Sequence, residues 1–130
     1  MQQVIPDEKQ KLLLSHFLSI IKEQKPYLNP SLTLSELAKH IGTNRSYLSA
    51  IINHHFKKNF NQYINECRIN EAMHLLKLHY PEYSIKSVSE QAGFFSYSSF
   101  YRFFKKHTGM TPEKYIIQIK KSKPIEKTDY

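Results

Sequence analysis

The sequence predicts an all-helical protein, and three observations carry that prediction. Apolar residues recur at i, i+3, i+4 and i+7 along most of the 130 residues, the spacing that gathers them on one face of an α-helix. No stretch alternates apolar and polar residues with period two, as a half-buried strand would. Polar caps, glycines and prolines punctuate the chain at intervals that suit short and medium helices.

The first helix is predicted from about Pro6, a residue suited to a helix start, through Leu13, Phe17, Ile20 and Ile21 to the residues before Lys25-Pro26. Pro26 and Pro30 bracket a loop. Thr33 followed by Glu36 has the spacing of a capping box and opens a short helix burying Leu34, Leu37, Ala38 and Ile41, closed by Gly42. The next helix carries Leu48, Ile51, Ile52 and His55 on its inner face. Asn59 and Gln62 offer a weaker cap for a long helix of about 60–78, ended by Pro81. Ser84 then caps a helix burying Ile85, Val88 and Ala92, Gly93 breaks it, and Phe100, Phe103, Phe104 and His107 face inward on its successor. Thr111-Pro112 starts a last helix of about 112–120 through Tyr115, Ile116 and Ile119. Residues 1–10 read as a linker, 11–119 as the folded domain and 121–130 as a polar tail.

Composition narrows the function. Hydrophobic residues at 40% with only 3 Gly and 6 Pro exclude a disordered or collagen-like chain. No apolar run approaches the roughly 18 residues of a membrane span, and the N-terminus lacks a secretion signal; the chain is expected in the cytoplasm. The single cysteine, Cys67, closes no internal disulfide and builds no cysteine cluster for zinc. Nineteen Lys+Arg against 11 Asp+Glu give +8, of which +5 falls after residue 93. Such a field attracts a polyanion, most often nucleic acid and less often an anionic membrane surface.

An internal repeat sharpens this. A shift of 51 lays Leu34, Leu37, Ile41 and Gly42 on Ile85, Val88, Ala92 and Gly93. Past the turn the shift becomes 52, laying Ser46, Leu48, Ile51, Ile52, His55, Tyr63 and Ile64 on Ser98, Phe100, Phe103, Phe104, His107, Tyr115 and Ile116. Each copy has a short helix with a small residue, Ala38 or Ser89, where helices must approach closely, then a glycine turn and a second amphipathic helix. That is the helix-turn-helix pattern, at about 33–56 and 84–107. A duplicated helical bundle with no DNA role shares it.

From Arg68 onward the residues resemble the DNA-binding domain of the AraC/XylS family of bacterial transcription regulators. The match runs through Gly93-Phe94, then Phe100-x-Arg102-x-Phe104-Lys105-Lys106, then Gly109-Met110-Thr111-Pro112 and Tyr115, with Arg68-Ile69, Ala72 and Leu75-Leu76 upstream. Leu34 to Tyr63 resembles the first unit of that family. The resemblance implies about seven helices, with two helix-turn-helix subdomains joined by a long linker helix. It implies a sequence-specific double-stranded DNA-binding regulator, expected to be an activator that recruits RNA polymerase. The chain is either a stand-alone small member or, as the linker-like run Gln2 to Asp7 favours, the C-terminal piece of a longer protein fused to a sensing domain, and the isolated domain can be a monomer. Where the family often has arginine, this sequence has Ala50 and Ile116; where it often has glycine, it has Lys57.

With Leu48, Ile51, Ile52 and His55 turned inward, the helix of about 44–55 presents Arg45, Ser46, Ser49, Ala50 and Asn53 outward. The helix of about 96–107 presents Tyr97, Ser98, Tyr101, Arg102 and Lys105, with Lys106 beside them. Arginine can donate two hydrogen bonds to guanine O6 and N7, and asparagine or serine can meet other base edges; Arg102 can alternatively clamp a phosphate. Lys57, Lys58, Lys105 and Lys106 and the helix N-termini suit phosphates. The linker helix, about 28 Å long at roughly 1.5 Å per residue, is commensurate with the roughly 34 Å between successive major-groove faces. His54-His55 has no ligand partner at metal spacing, and no cofactor motif or catalytic constellation is present, so neither a cofactor nor an enzyme is expected. The competing reading is a helical protein-interaction module without specific DNA binding.

Overall fold

A computed structural model describes residues 7–122. Among the described residues there are seven α-helices and no strand: α1 (Asp7–Gln24), α2 (Leu34–Ile41), α3 (Arg45–Phe56), α4 (Phe60–His79), α5 (Ile85–Gln91), α6 (Tyr97–Thr108) and α7 (Pro112–Ser122), with a 3-10 turn at Pro26–Leu28 between α1 and α2. Residues 7–10 belong to α1 rather than to a linker, and Lys121 and Ser122 to α7 rather than to a tail. The rest of the expected linker and tail, residues 1–6 and 123–130, lies outside the described residues.

The helix starts follow from their capping residues. Thr33 Oγ1 accepts from the Glu36 N–H at 3.1 Å while Glu36 Oε1 accepts from the Thr33 N–H at 3.1 Å, the reciprocal capping box. Asn59 and Gln62 form the same exchange at the head of α4, both bonds 2.8 Å. Asn44, Ser84, Ser96 and Thr111 each accept a backbone N–H with the side-chain oxygen at the heads of α3, α5, α6 and α7. The turns of the two helix pairs reverse at Gly42, with φ 94°, and Gly93, with φ 98°, the left-handed region that glycine enters without a Cβ clash.

The chain divides into two compact units, one through Cys67 and the other from Arg68. In the first, Phe17 of α1 is fully buried among Leu37 and Ile41 of α2, Leu48, Ile51 and Ile52 of α3, and Ile64 of α4. In the second, Phe100 and Phe104 of α6 are fully buried with Ile69, Ala72 and Leu76 of α4, Val88 and Ala92 of α5, Phe94, and Ile116 of α7. Ala38 and Ser89, expected where the helices approach, are both 1% exposed. The Ser89 hydroxyl donates to the Lys86 carbonyl at 2.7 Å, which satisfies it in an apolar setting.

Two expected core positions are wrong. His55 and His107 are exposed. The buried stripe of α3 continues from Leu48 and Ile52 to Phe56 in steps of four, and Phe56 meets Tyr63 at 4.7 Å and Phe17 at 6.2 Å between ring centroids. The α6 stripe runs likewise from Phe100 and Phe104 to half-buried Thr108, whose hydroxyl reaches the Phe104 and Met110 carbonyls. At 3.6 residues per turn His55 and His107, seven after Leu48 and Phe100, still fall on the buried side by angle; they stand in the last turn of their helices, where Phe56 and Thr108 take the inner places.

Lys57 closes α3 with φ 57°, left-handed backbone that costs a residue bearing a Cβ about 1–2 kcal/mol. Lys57→Gly removes that strain and returns about 0.5–1 kcal/mol of it as unfolded-state entropy. The first unit should gain about 0.5–1 kcal/mol in chemical denaturation; an unchanged or lowered midpoint would contradict this account.

Candidate nucleic-acid interface

Each unit sets the second helix of its pair on the first. In the first unit α3 packs on α2, and burial of Leu48, Ile51 and Ile52 turns the opposite side outward. Arg45, Ser46 and Asn53 are exposed there, and Ser49 and Ala50 are half-buried. The face is small and polar. Asn53 is partly engaged, because its amide nitrogen donates to the Ser49 carbonyl one turn back at 2.9 Å, leaving the amide oxygen as the acceptor. Tyr47 packs against the core instead, with the Lys9 ammonium 5.7 Å from its ring centroid.

In the second unit α6 packs on α5 and α7. Ser98, Arg102, Lys105 and Lys106 are exposed, and Tyr101 is half-buried. Tyr97, expected outward, is half-buried and packs against the core, its ring 5.8 Å from Phe100 and 6.1 Å from Tyr101. Phe100 and Tyr101 stand three and four residues after Tyr97, the spacing at which side chains of one helix meet. Burial raises the Tyr97 pKa above its ordinary value, the Glu113 charge and then Tyr101 adding to it, so its hydroxyl keeps its proton and can donate. The Arg102 guanidinium lies 5.4 Å from the Phe103 ring centroid, a cation–π contact.

The lysines divide. Lys57, Lys105 and Lys106 are exposed, but Lys58 is paired with Glu66 of α4, which offsets its charge. Sequence reasoning could not foresee that pair across eight residues. Beside it, burial pushes the Tyr63 hydroxyl up to about 12, with Cys67 and Glu66 contributing, so Tyr63 stays neutral against the first core. His54 and His55 stand edge to face, 5.0 Å between ring centroids; among the described residues no group of three His, Cys, Asp or Glu is placed to hold a metal ion, and no helix is long and apolar enough to cross a membrane.

Two short helices, each capped, turned at a left-handed glycine and followed by a longer helix with an exposed polar face, define a tandem helix-turn-helix protein. A family model described as a helix-turn-helix domain matches residues 37–117, and the chain belongs to this family, the AraC-type helix-turn-helix domains of DNA-binding transcription regulators. It is 32% identical over 101 residues to the transcriptional regulatory protein HptR of Staphylococcus aureus, covering 78% of this chain and 39% of that protein. Among solved structures it is similar to the C-terminal domain of AraT, a response regulator from Geobacillus stearothermophilus, with 25% identity, TM-score 0.68 and coverage of 82% of this chain and 84% of that one. The fold also matches an AraC-type transcriptional regulator from Chromobacterium violaceum at TM-score 0.72, 21% identity and coverage of 86% and 96%. The chain therefore spans about two-fifths of the length of the curated relatives it matches.

Proposed function

We propose that this chain reads double-stranded DNA in a sequence-specific way, with α3 and α6 each entering the major groove. The supporting observation is the repeated arrangement itself: in both units the helix after the turn keeps its apolar side in a core and offers the other side to solvent. Arg45, Ser46, Ser49, Ala50 and Asn53 then form the contact face of the first unit. Tyr101, Arg102, Lys105 and Lys106 with Ser98 form that of the second, Tyr97 contributing its hydroxyl edge. The chain is a binding module rather than an enzyme. In the cytoplasm, fused to a sensing or receiver domain, it activates transcription by recruiting RNA polymerase; the relatives' greater length and the response-regulator origin of the AraT domain support the fusion.

A mobility shift with genomic fragments in a salt titration tests the reading. A band retarded at low salt and selective among fragments is expected; no band, or retardation indifferent to sequence, overturns it. Footprinting on a retarded fragment is expected to protect two segments, one for each helix-turn-helix unit. In vitro transcription from such a fragment checks activation.

Arg102→Ala is the sharper test. With Arg102 bidentate to a guanine, the variant should lose about 1–3 kcal/mol on the preferred duplex, and much less on random DNA. Equal loss on both would make Arg102 a phosphate contact.

A further inference from the structure

The second turn is one residue longer than the first, and aligning the N-caps Asn44 and Ser96 makes Phe94 the additional residue and Phe95 the counterpart of Thr43. The two phenylalanines behave oppositely. Phe94 is 5% exposed and meets Phe100 edge to face at 5.4 Å. Phe95 is 76% exposed. Phe94 takes the inward place against Phe100, and Phe95, at the bend that leads into the extended N-cap Ser96 (φ −136°, ψ 150°), is left outward.

An apolar residue just before an N-cap ordinarily packs on the fourth residue of its helix, as a hydrophobic staple. In α6 that fourth residue is Phe100, and Phe94 already covers it. Phe95 thus has no staple to make, and its exposed ring immediately precedes the exposed N-cap Ser96 of the helix that carries Arg102. A recognition helix meets base edges with its N-terminal residues. The apolar feature of the major groove is the thymine 5-methyl group, and phenylalanine is among the side chains that cover it.

We infer that Phe95 covers a thymine methyl beside the bases read by α6, and so is a further specificity-determining residue of the second unit. The inference rests on the DNA-reading role proposed above. Thr43, its half-buried counterpart, offers a much smaller apolar surface, so the thymine requirement belongs to the second unit alone.

The test begins with duplexes selected by the wild-type chain from a random pool. Arg102→Ala marks the positions that α6 reads, and each thymine next to them is replaced, one at a time, by deoxyuridine, which lacks only the methyl. Wild type should lose about three- to tenfold at one such position, the scale of one buried methyl. Phe95→Ser should lose about the same on the thymine duplex and nothing further on the deoxyuridine duplex, while Phe95→Leu keeps most of the discrimination. The ring is exposed, so melting temperatures should match the wild type. The inference is overturned if selection shows no thymine beside the α6 positions or if Phe95→Ser binds like wild type. It is equally overturned if the variant loses equally on both duplexes, which would put the ring on deoxyribose. If the wild type selects no sequence at all, the DNA-reading role fails and this inference with it; selective, Arg102-dependent binding that ignores Phe95 defeats the inference alone.

Discussion

Raising salt from about 50 to about 200 mM is expected to weaken binding to the preferred duplex roughly 10³–10⁵-fold, provided that roughly 6–10 phosphates are neutralised. The expectation comes from charge that is free to act. The sequence carries a net +8, and Arg45, Lys57, Arg102, Lys105 and Lys106 are exposed on or beside the two candidate faces. The capped N-termini of α3, α6 and α7 add backbone N–H groups that can meet phosphates once the duplex is docked. Each neutralised phosphate releases condensed counterion, so log affinity should fall linearly with log salt, by about 0.9 per phosphate. Lys58 provides an internal control. Its ammonium already faces Glu66, so Lys58→Ala should flatten the slope less than Lys57→Ala, whereas Lys105→Ala with Lys106→Ala should reduce it by about two. A filter-binding titration gives these slopes directly. A slope near zero would mean that the exposed lysines are solvated surface and that the basic balance has nothing to do with DNA.

The parts of this architecture that short-range chemistry governs were legible from residue types alone. Thr33 with Glu36, Asn59 with Gln62, and Ser84, Ser96 and Thr111 each cap as their spacing requires, because a cap involves residues within one turn. The helix-turn-helix pairs were legible because the repeat states the same pattern twice. Orientation was harder. The seven-residue step from Leu48 and Phe100 points His55 and His107 inward, and only packing shows that Phe56 and Thr108 hold those places. Among the candidate contacts, Arg102 and Lys105 are as exposed as their types suggest. The engagement of Asn53 with Ser49 and the cover over Tyr97 depend on rotamers within one helix, and the Lys58 pair on a neighbour from another element; residue spacing encodes neither. Phe95 is the reverse case: its type suggests a core residue, and its exposure follows from its neighbour having taken the inward place.

Phe100→Ala is expected to destabilise the second unit by about 3–5 kcal/mol. Phe100 is fully buried and its ring lies 5.4 Å from Phe94, 5.8 Å from Tyr97 and 5.5 Å from Phe104. It therefore joins the turn, the head of α6 and the middle of α6. Truncation loses the transfer energy of the ring and leaves a cavity that stiff aromatic neighbours cannot easily fill. A small domain has only about 5–15 kcal/mol of stability in total, so a large part of the second unit's margin goes with one side chain. The effect should be local in kind. Hydrogen exchange should quicken in α5, α6 and α7, and the selectivity proposed for Arg102 should fall with it, because α6 is no longer held. Leu48, fully buried at the repeat-equivalent position of the first unit, shows that an aliphatic side chain suits this place in the motif; Phe100→Leu should accordingly cost less than alanine. Denaturant midpoints of the three proteins settle the order. An alanine variant as stable as the leucine one would mean that the aromatic cluster relaxes into the gap, and that the second unit is held chiefly by α4 and α5 instead.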